Sequence, residues 1–271
     1  MIYLGQLGRM VAIKCPSAQV SQSEDSLVFS TSLEGRRRAQ ALPRVSELRS
    51  WNLRTALNKP GDVAKLQAFV RGDWGAGPFF FVSADAPNTN LLDPQVASCH
   101  PWHALYAWTS AGGPIQTEEV GWLPQSYFNS DPSSALAFGA TSYAVPVLPG
   151  QEVTGAAFVS GAGAYARLYF YDSSGATVVS YSSGIRSSGV DDVVRSWITR
   201  EAPPNAVSCR VLAMNTVRAA GPTITWSEGL LPWADGEGCS QAVVHGASRD
   251  LLYTVDDRTF SALDYVVTEV G

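Results

Sequence analysis

Three histidines, His100, His103 and His245, are the side chains best suited by type to catalysis, and their spacing argues against it. His100-Pro101-Trp102-His103 could bring two imidazoles together, but it lacks the acidic ligand and helical context of an HExxH zinc site, so a loop pair without metal is the plainer reading. There is no GxSxG elbow for a serine hydrolase, and no nucleophile pattern accompanies the histidines. Carboxylates such as Glu118-Glu119 and Asp191-Asp192 could supply a glycosidase pair by type, although adjacent acids on an exposed loop are commoner. Gly72, Gly75 and Gly77 lack GxxxxGK[ST] and precede a strand-like run, which argues against a phosphate-binding loop. No cofactor is expected beyond a structural calcium held by loop oxygens, and no residue pattern selects its ligands.

Aromatic side chains are the remaining candidates, because a sugar stacks its apolar face on a flat ring beside polar hydrogen-bonding groups. Trp102, Tyr106, Trp108, Trp122, Tyr127 and Phe128 crowd a loop-rich stretch between residues 100 and 128, and Trp102, Trp108, Trp122 and Tyr127 are the candidate carbohydrate contacts. Trp51, Trp197 and Trp226 sit in strand-like patterns and are expected in the core.

The elements that must position these groups are mostly strands. Lysine is confined to Lys14, Lys59 and Lys65, whereas alanine, glycine, serine and valine abound. Trp51, Leu53 and Thr55 alternate with Asn52 and Arg54, predicting a strand that ends near Asn58. One helix is predicted next: Pro60 suits its first turn, Asp62 complements its N-terminal dipole and Gly72 its left-handed C-cap, with Val63, Leu66, Phe69 and Val70 on one face. From residue 143 to 226, short strands are divided by turns such as Pro149-Gly150, Asp172-Ser173-Ser174-Gly175 and Pro203-Pro204-Asn205, the spacing of an antiparallel sandwich. Within it Ala166, Leu168 and Phe170 share one face, as do Val207, Cys209, Val211 and Ala213.

At 271 residues, with 45% hydrophobic and 16% charged residues, the chain has material for two folded domains. Residues 1 to 90 carry 11 Lys+Arg and 7 Asp+Glu, net +4, and the remainder carries 8 and 17, net −9. Such asymmetry suggests different partners for the two parts. Four excess positive charges without aromatic interleaving make a poor nucleic-acid surface, so no nucleic acid is expected. Arg36, Arg37 and Arg38 read as a charge-blunted strand edge or as a contact to an acidic neighbouring subunit. No apolar run approaches the roughly 20 residues of a membrane helix, so membrane insertion is not expected. Cys15, Cys99, Cys209 and Cys239 contain no CxxC pair and are expected to be free and mostly buried.

Several segments resemble minor or distal tail proteins of siphophages infecting actinobacteria. They are Leu7-Gly8-Arg9-Met10-Val11, Leu33-Glu34-Gly35-Arg36-Arg37-Arg38, Phe69-Val70-Arg71-Gly72 and Gly77-Pro78-Phe79-Phe80-Phe81-Val82. The second part is similar through Thr89-Asn90-Leu91-Leu92, Val145-Pro146-Val147-Leu148-Pro149-Gly150, Tyr169-Phe170-Tyr171-Asp172-Ser173-Ser174-Gly175-Ala176 and the Trp197 strand before Ala202-Pro203-Pro204. The resemblance implies a mostly β fold: a distal-tail-like domain with one short helix, and an inserted antiparallel β-sandwich of jelly-roll, galactose-binding-like form. The expected domains are 1–90 plus 240–271 for assembly and 91–239 for the carbohydrate-binding-module-like jelly roll, with Val266 to Val270 returning to the first domain's sheet. It further implies a non-enzymatic virion protein, assembled in the host cytoplasm into a homo-oligomeric ring at the tail tip. Its implied neighbours are the tail tube, tape measure and tip hub. An adhesin for host cell-wall glycans is the alternative, and a cell-wall hydrolase the more distant one.

Overall fold

In a computed structural model the described residues are 1–14, 21–24, 27–33, 36–42, 49–75, 77–97, 108–110, 115–120, 123–129, 131, 133, 135–138, 144–255 and 258–270. The chain opens with strands β1 (Ile2–Gln6), β2 (Arg9–Ile13), β3 (Ser21–Glu24), β4 (Leu27–Leu33), β5 (Arg36–Leu42) and β6 (Arg49–Asn58). Helix α1 (Pro60–Arg71), β7 (Phe79–Val82), a 3-10 turn at Ala86–Asn88 and the short α2 (Pro94–Ala97) follow. Next come β8 (Trp108–Ser110), β9 (Ile115–Val120), β10 (Leu123–Asn129), β11 (Leu136–Phe138), β12 (Val145–Pro146), β13 (Glu152–Ser160), β14 (Tyr165–Tyr171) and β15 (Thr177–Ser182). The last strands are β16 (Val194–Glu201), β17 (Ser208–Met214), β18 (Arg218–Thr225), β19 (Cys239–Val255) and β20 (Arg258–Glu269). The protein is therefore mostly β and built of antiparallel sheets.

Two compact units emerge. The first comprises Met1, Ile13–Phe79 and Gln241–Gly271, and the second Ile2–Ala12 and Phe80–Ser240. The division falls earlier than the expected boundary after residue 90, and β1 with most of β2 groups with the sandwich. Backbone pairing is the reason: Tyr3, Leu4 and Gly5 of β1 register against Val82, Phe81 and Phe80 of β7. The Tyr3 ring also meets Trp226 edge-on at 5.2 Å.

In the first unit, β6 buries Trp51, Leu53 and Thr55 and turns Asn52 and Arg54 outward, the alternation its sequence predicts. The C-terminal β20 pairs with β6 from Thr268 opposite Ser50 to Ser261 opposite Asn58, and on its other edge with β19. Helix α1 begins at Pro60 and ends where Gly72 adopts φ 80°. The amide of Asp73 then reaches back to the Ala68 carbonyl at 2.9 Å, closing the last turn. Val63, Leu66 and Phe69 are buried, but Val70 is exposed, a departure from the predicted apolar face. The turn at Gly72 brings Trp74 and Phe79 onto the Phe69 ring, with centroids 4.7 and 5.1 Å away, so Phe69 takes the buried position.

Where β6 begins, Arg49 is clamped to the end of β20. Its Nε donates to Glu269 Oε2 at 2.9 Å and its Nη2 to Oε1 at 3.1 Å, while the guanidinium lies 5.0 Å from the Trp51 ring centre. The arginine is almost wholly buried and the carboxylate only slightly exposed. Removing one charge from such a pair leaves the other desolvated, so Glu269→Gln is expected to lower stability by about 2 kcal/mol in denaturant unfolding.

The second unit is a sandwich of a five-stranded sheet, ordered β16-β13-β18-β10-β9, and a second sheet ordered β15-β14-β17-β11-β8, with β12 also pairing β17. Ala166, Leu168 and Phe170 of β14 and Cys209, Val211 and Ala213 of β17 face the core, as their alternation predicts, whereas Val207 lies before β17 and is half-buried. They meet Val153, Ala157 and Val159 of β13, and a Cβ on Gly155 would stand only 3.1 Å from Leu168 Cδ1. Residues 87 to 92 run along β18: Trp226 N donates to Pro87 O, and Leu91 N to Ile224 O. Asn90, wholly buried, uses its full side-chain hydrogen-bonding capacity there, with Nδ2 donating to Pro222 O and Ala234 O and Oδ1 accepting from Leu92 N and Ile224 N. Gly236 and Gly238 are required where the chain returns across this strap, because a Cβ at either would overlap the Leu92 or Leu91 carbonyl.

Trp197 departs from its expected place in the core. Opposite Ala156 in the register, it lies half-buried on the outer face, while its neighbours Ser196 and Ile198 are buried. Cys209 and Cys239 are free and buried, and burial pushes the Cys209 thiol far up from its ordinary range. Cys15 and Cys99 lie outside the described residues.

Candidate carbohydrate-contact face

Where the stretch between residues 100 and 128 is described, it forms strands and not the loop cluster its composition suggests. Strands β8, β9 and β10 run through it, and they turn two of the four candidate aromatics inward. Trp108 is 2% exposed and donates from Nε1 to the Val96 carbonyl at 2.9 Å, and Tyr127 is 0% exposed with its ring centre 4.0 Å from that of Trp108. Rings enclosed in this way offer no face to a pyranose, so Trp108 and Tyr127 are core residues and not sugar contacts. Trp102 and Trp122 lie outside the described residues, as do Tyr106, His100 and His103. His245 is exposed on β19, where its Nε2 meets Thr268 Oγ1 at 2.9 Å.

The acidic pairs also separate. Glu118 and Glu119 lie on β9 and not on a loop, and Asp192 accepts from the Ser188 amide and hydroxyl at 2.7 Å each, which holds its carboxyl below the usual range. Among the described residues no group of three or more His, Cys, Asp or Glu converges to hold a cation, and no helix is long and apolar enough to cross a membrane. Arg36, Arg37 and Arg38 lie on β5, opposite Leu33, Ser32 and Thr31 of β4, with their side chains outside the described set.

A different aromatic array lies on the outer face of the second sandwich sheet. Because Ala166, Leu168 and Phe170 point into the core, the intervening Tyr165, Arg167, Tyr169 and Tyr171 must share the opposite face, and all four are half-buried. The Tyr169 and Tyr171 rings are within 14° of parallel with centroids 6.2 Å apart, close to the two-residue repeat of a strand. Arg167 lies 5.1 Å from the Tyr169 ring centre, and its Nε and Nη2 donate to Ser180 Oγ of β15 at 3.1 and 2.8 Å. Arg186 covers Tyr165 at 4.0 Å. From β17, whose register sets Arg210 opposite Tyr169, the Arg210 side chain hydrogen-bonds the Tyr171 phenol.

Burial also acts on the two ionisable groups that meet where Arg210 reaches Tyr171. Burial pushes the Tyr171 phenol above its ordinary value, and the Arg210 cation opposes that shift. Burial lowers Arg210 in turn, and Tyr171 opposes that shift. The face combines phenol rings with guanidinium donors. Such a surface can stack on the apolar side of a sugar ring and hydrogen-bond its hydroxyls.

The hairpin that aligns β14 with β15 depends on Asp172. Its Oδ1 accepts from the Ser174 amide at 2.9 Å, the Ser174 hydroxyl at 2.6 Å and the Ala176 amide at 3.0 Å, while Gly175 takes φ 80°. The Ser174 hydroxyl, followed by the Ala176 amide, holds the Asp172 carboxyl below the usual carboxylate range. A carboxyl lowered by folding supports the turn fully above its unfolded value and loses that support as pH falls through the folded one. Acidification below the carboxylate range is therefore expected to lower the protection factors for amide exchange at Ser174 and Ala176. Asp172→Asn should remove that pH dependence.

No protein-family model matches the sequence, and no curated protein matches it. Among solved structures the fold is similar to the enzymatically active domain of bacteriophage CBA120 tailspike protein 4, at 14% identity and TM-score 0.37 over 52% of this chain and 22% of that one. It is also similar to the CBM22-1 xylan-binding domain of Paenibacillus barcinonensis Xyn10C, at 12% identity and TM-score 0.33 over 46% of this chain and 88% of that domain. A third likeness is to a carbohydrate-binding module of the β-sandwich superfamily, at 11% identity and TM-score 0.32 over 84% and 92% of the two chains. These likenesses concern shape, and the sandwich assignment stands on the strand pairing described above.

Proposed function

We propose that this chain is a non-catalytic glycan-binding structural protein of a phage tail tip, in which the sandwich contacts carbohydrate and the strand-built first unit mounts it in the assembly. The observation that carries the binding half is the outer face of β14, where three half-buried tyrosines and Arg167 stand beside Arg210 of β17. The alternation of near-parallel aromatic rings with guanidinium donors suits a hydroxylated ring better than an apolar protein surface. The tail-tip half is supported by the sequence segments that resemble minor tail proteins. The test is glycan-array binding by the full chain. Retained glycan without turnover agrees with the proposal, whereas cleavage of the bound glycan points to the hydrolase alternative.

The assembly half also has a structural observation in its favour. At the far end of the β19–β20 hairpin, Leu251, Leu252, Tyr253 and Val255 are 65%, 43%, 45% and 51% exposed. Four large apolar side chains in five consecutive positions, Leu251 on one face of the hairpin and Tyr253 and Val255 on the other, make an apolar tip that a soluble surface rarely tolerates uncovered. In the ring reading, a second copy of the chain covers this tip, repeated around an axis. The double variant Leu251→Lys with Tyr253→Lys is expected to shift the protein from an associated species to a monomer in sedimentation, with its thermal midpoint little changed. A wild-type protein that stays monomeric at high concentration would remove the ring.

A further inference from the structure

The tyrosine face carries a charge pattern that narrows the class of ligand. Its half of the sequence, residues 91 to 271, holds 17 Asp+Glu against 8 Lys+Arg, so an arginine placed there without selection would be expected to meet a carboxylate. In the first unit Arg49, Arg54 and Arg71 do so, at Glu269, Asp264 and Asp73. Arg167 spends its Nε and Nη2 on a neutral serine hydroxyl and the face of Tyr169, and Arg186 lies over Tyr165. Neither has a described carboxylate within ion-pairing distance. Asp172, at the end of β14, is held by its own turn through the Ser174 and Ala176 donors.

Rings alone would accept a neutral sugar. Two guanidinium groups set against them, in a region whose overall charge is negative, add a fixed positive field that a neutral glycan does not use. Arginine also presents a planar fork of donors that matches a carboxylate or phosphate with two parallel hydrogen bonds. We propose that the face made by Tyr165, Arg167, Tyr169 and Tyr171 selects an acidic glycan, one bearing uronate or another anionic substituent, over its uncharged counterpart. This rests on the reading of that face as a carbohydrate site. Single-stranded nucleic acid also pairs rings with anions, and an oligonucleotide arm in the test separates it from an acidic glycan.

The test measures the full chain on an array pairing acidic glycans with neutral counterparts, for example polygalacturonate with its methyl ester, together with a single-stranded oligonucleotide. Acidic members are expected to bind at least about tenfold more tightly, the margin shrinking as salt rises from about 50 to 500 mM. Arg167→Gln should abolish the margin while leaving residual binding to neutral sugars, and Arg167→Lys, which keeps the charge but not the fork, should restore it only in part. Equal binding of acidic and neutral partners overturns the acidic preference and leaves the glycan reading standing. Binding to no glycan overturns both, and tighter binding to the oligonucleotide assigns the face to nucleic acid instead.

Discussion

Asn90→Asp is expected to lower the thermal midpoint of the sandwich unit by about 10 °C, the largest stability change of any single isosteric substitution proposed for this chain. The side chain keeps its size, but the amide that donates to the Pro222 and Ala234 carbonyls at 3.0 and 3.2 Å becomes an oxygen facing two oxygens. Each buried acceptor left unsatisfied costs about 1–3 kcal/mol, and a carboxylate forced to ionise there costs more. The Leu92 and Ile224 amides would still have an acceptor, so the loss isolates the two donated bonds. Differential scanning calorimetry on the full chain provides the measurement. An unchanged midpoint would mean that the strap of residues 87 to 92 is held by its backbone bonds alone.

The second large effect concerns binding. Tyr169→Ala and Tyr171→Ala should each weaken the preferred glycan about tenfold, or about 1.4 kcal/mol, without unfolding the sandwich. Both rings stand on the outer face, so truncation removes contact area and leaves the core of Ala166, Leu168 and Phe170 intact. The double variant should lose less than the product of the singles, since near-parallel rings 6.2 Å apart bind one ligand as a unit. Tyr171→Phe separates the ring from the hydroxyl: retained affinity would assign Tyr171 to stacking, and lost affinity would assign the bond shared with Arg210 to recognition. Trp108→Ala and Tyr127→Ala should instead destabilise the fold, because those rings are sealed in the core. Unchanged affinity in all the outer-face variants would remove β14 from the binding site.

Part of this site was readable from alternation. Once Ala166, Leu168 and Phe170 were assigned to the core face, the two-residue period of a strand required Tyr165, Arg167, Tyr169 and Tyr171 to face away from it. The same parity put Trp51, Leu53 and Thr55 inside, and the Pro60 and Gly72 signals bounded helix α1 within a residue or two. These features are local, set by backbone geometry and the nearest few side chains.

What alternation could not supply was identity of neighbours. The clustering of Trp102, Trp108, Trp122 and Tyr127 in sequence suggested a binding surface, yet sequence proximity carries no information about which sheet a strand joins. Trp108 is buried because β8 pairs with β11, and Tyr127 because β10 pairs with β18, contacts made across long stretches of chain. Likewise, no local signal shows that Arg210 reaches Tyr171 from another strand, or that Asn90 joins residues 132 and 144 positions away. The sequence by itself determined the period of each strand, the helix ends and the turns, because these follow from backbone sterics and short-range hydrogen bonds. Only the tertiary structure decided which aromatic rings are sealed and which are presented, because exposure depends on sheet order, and sheet order is set by the burial of the whole core at once.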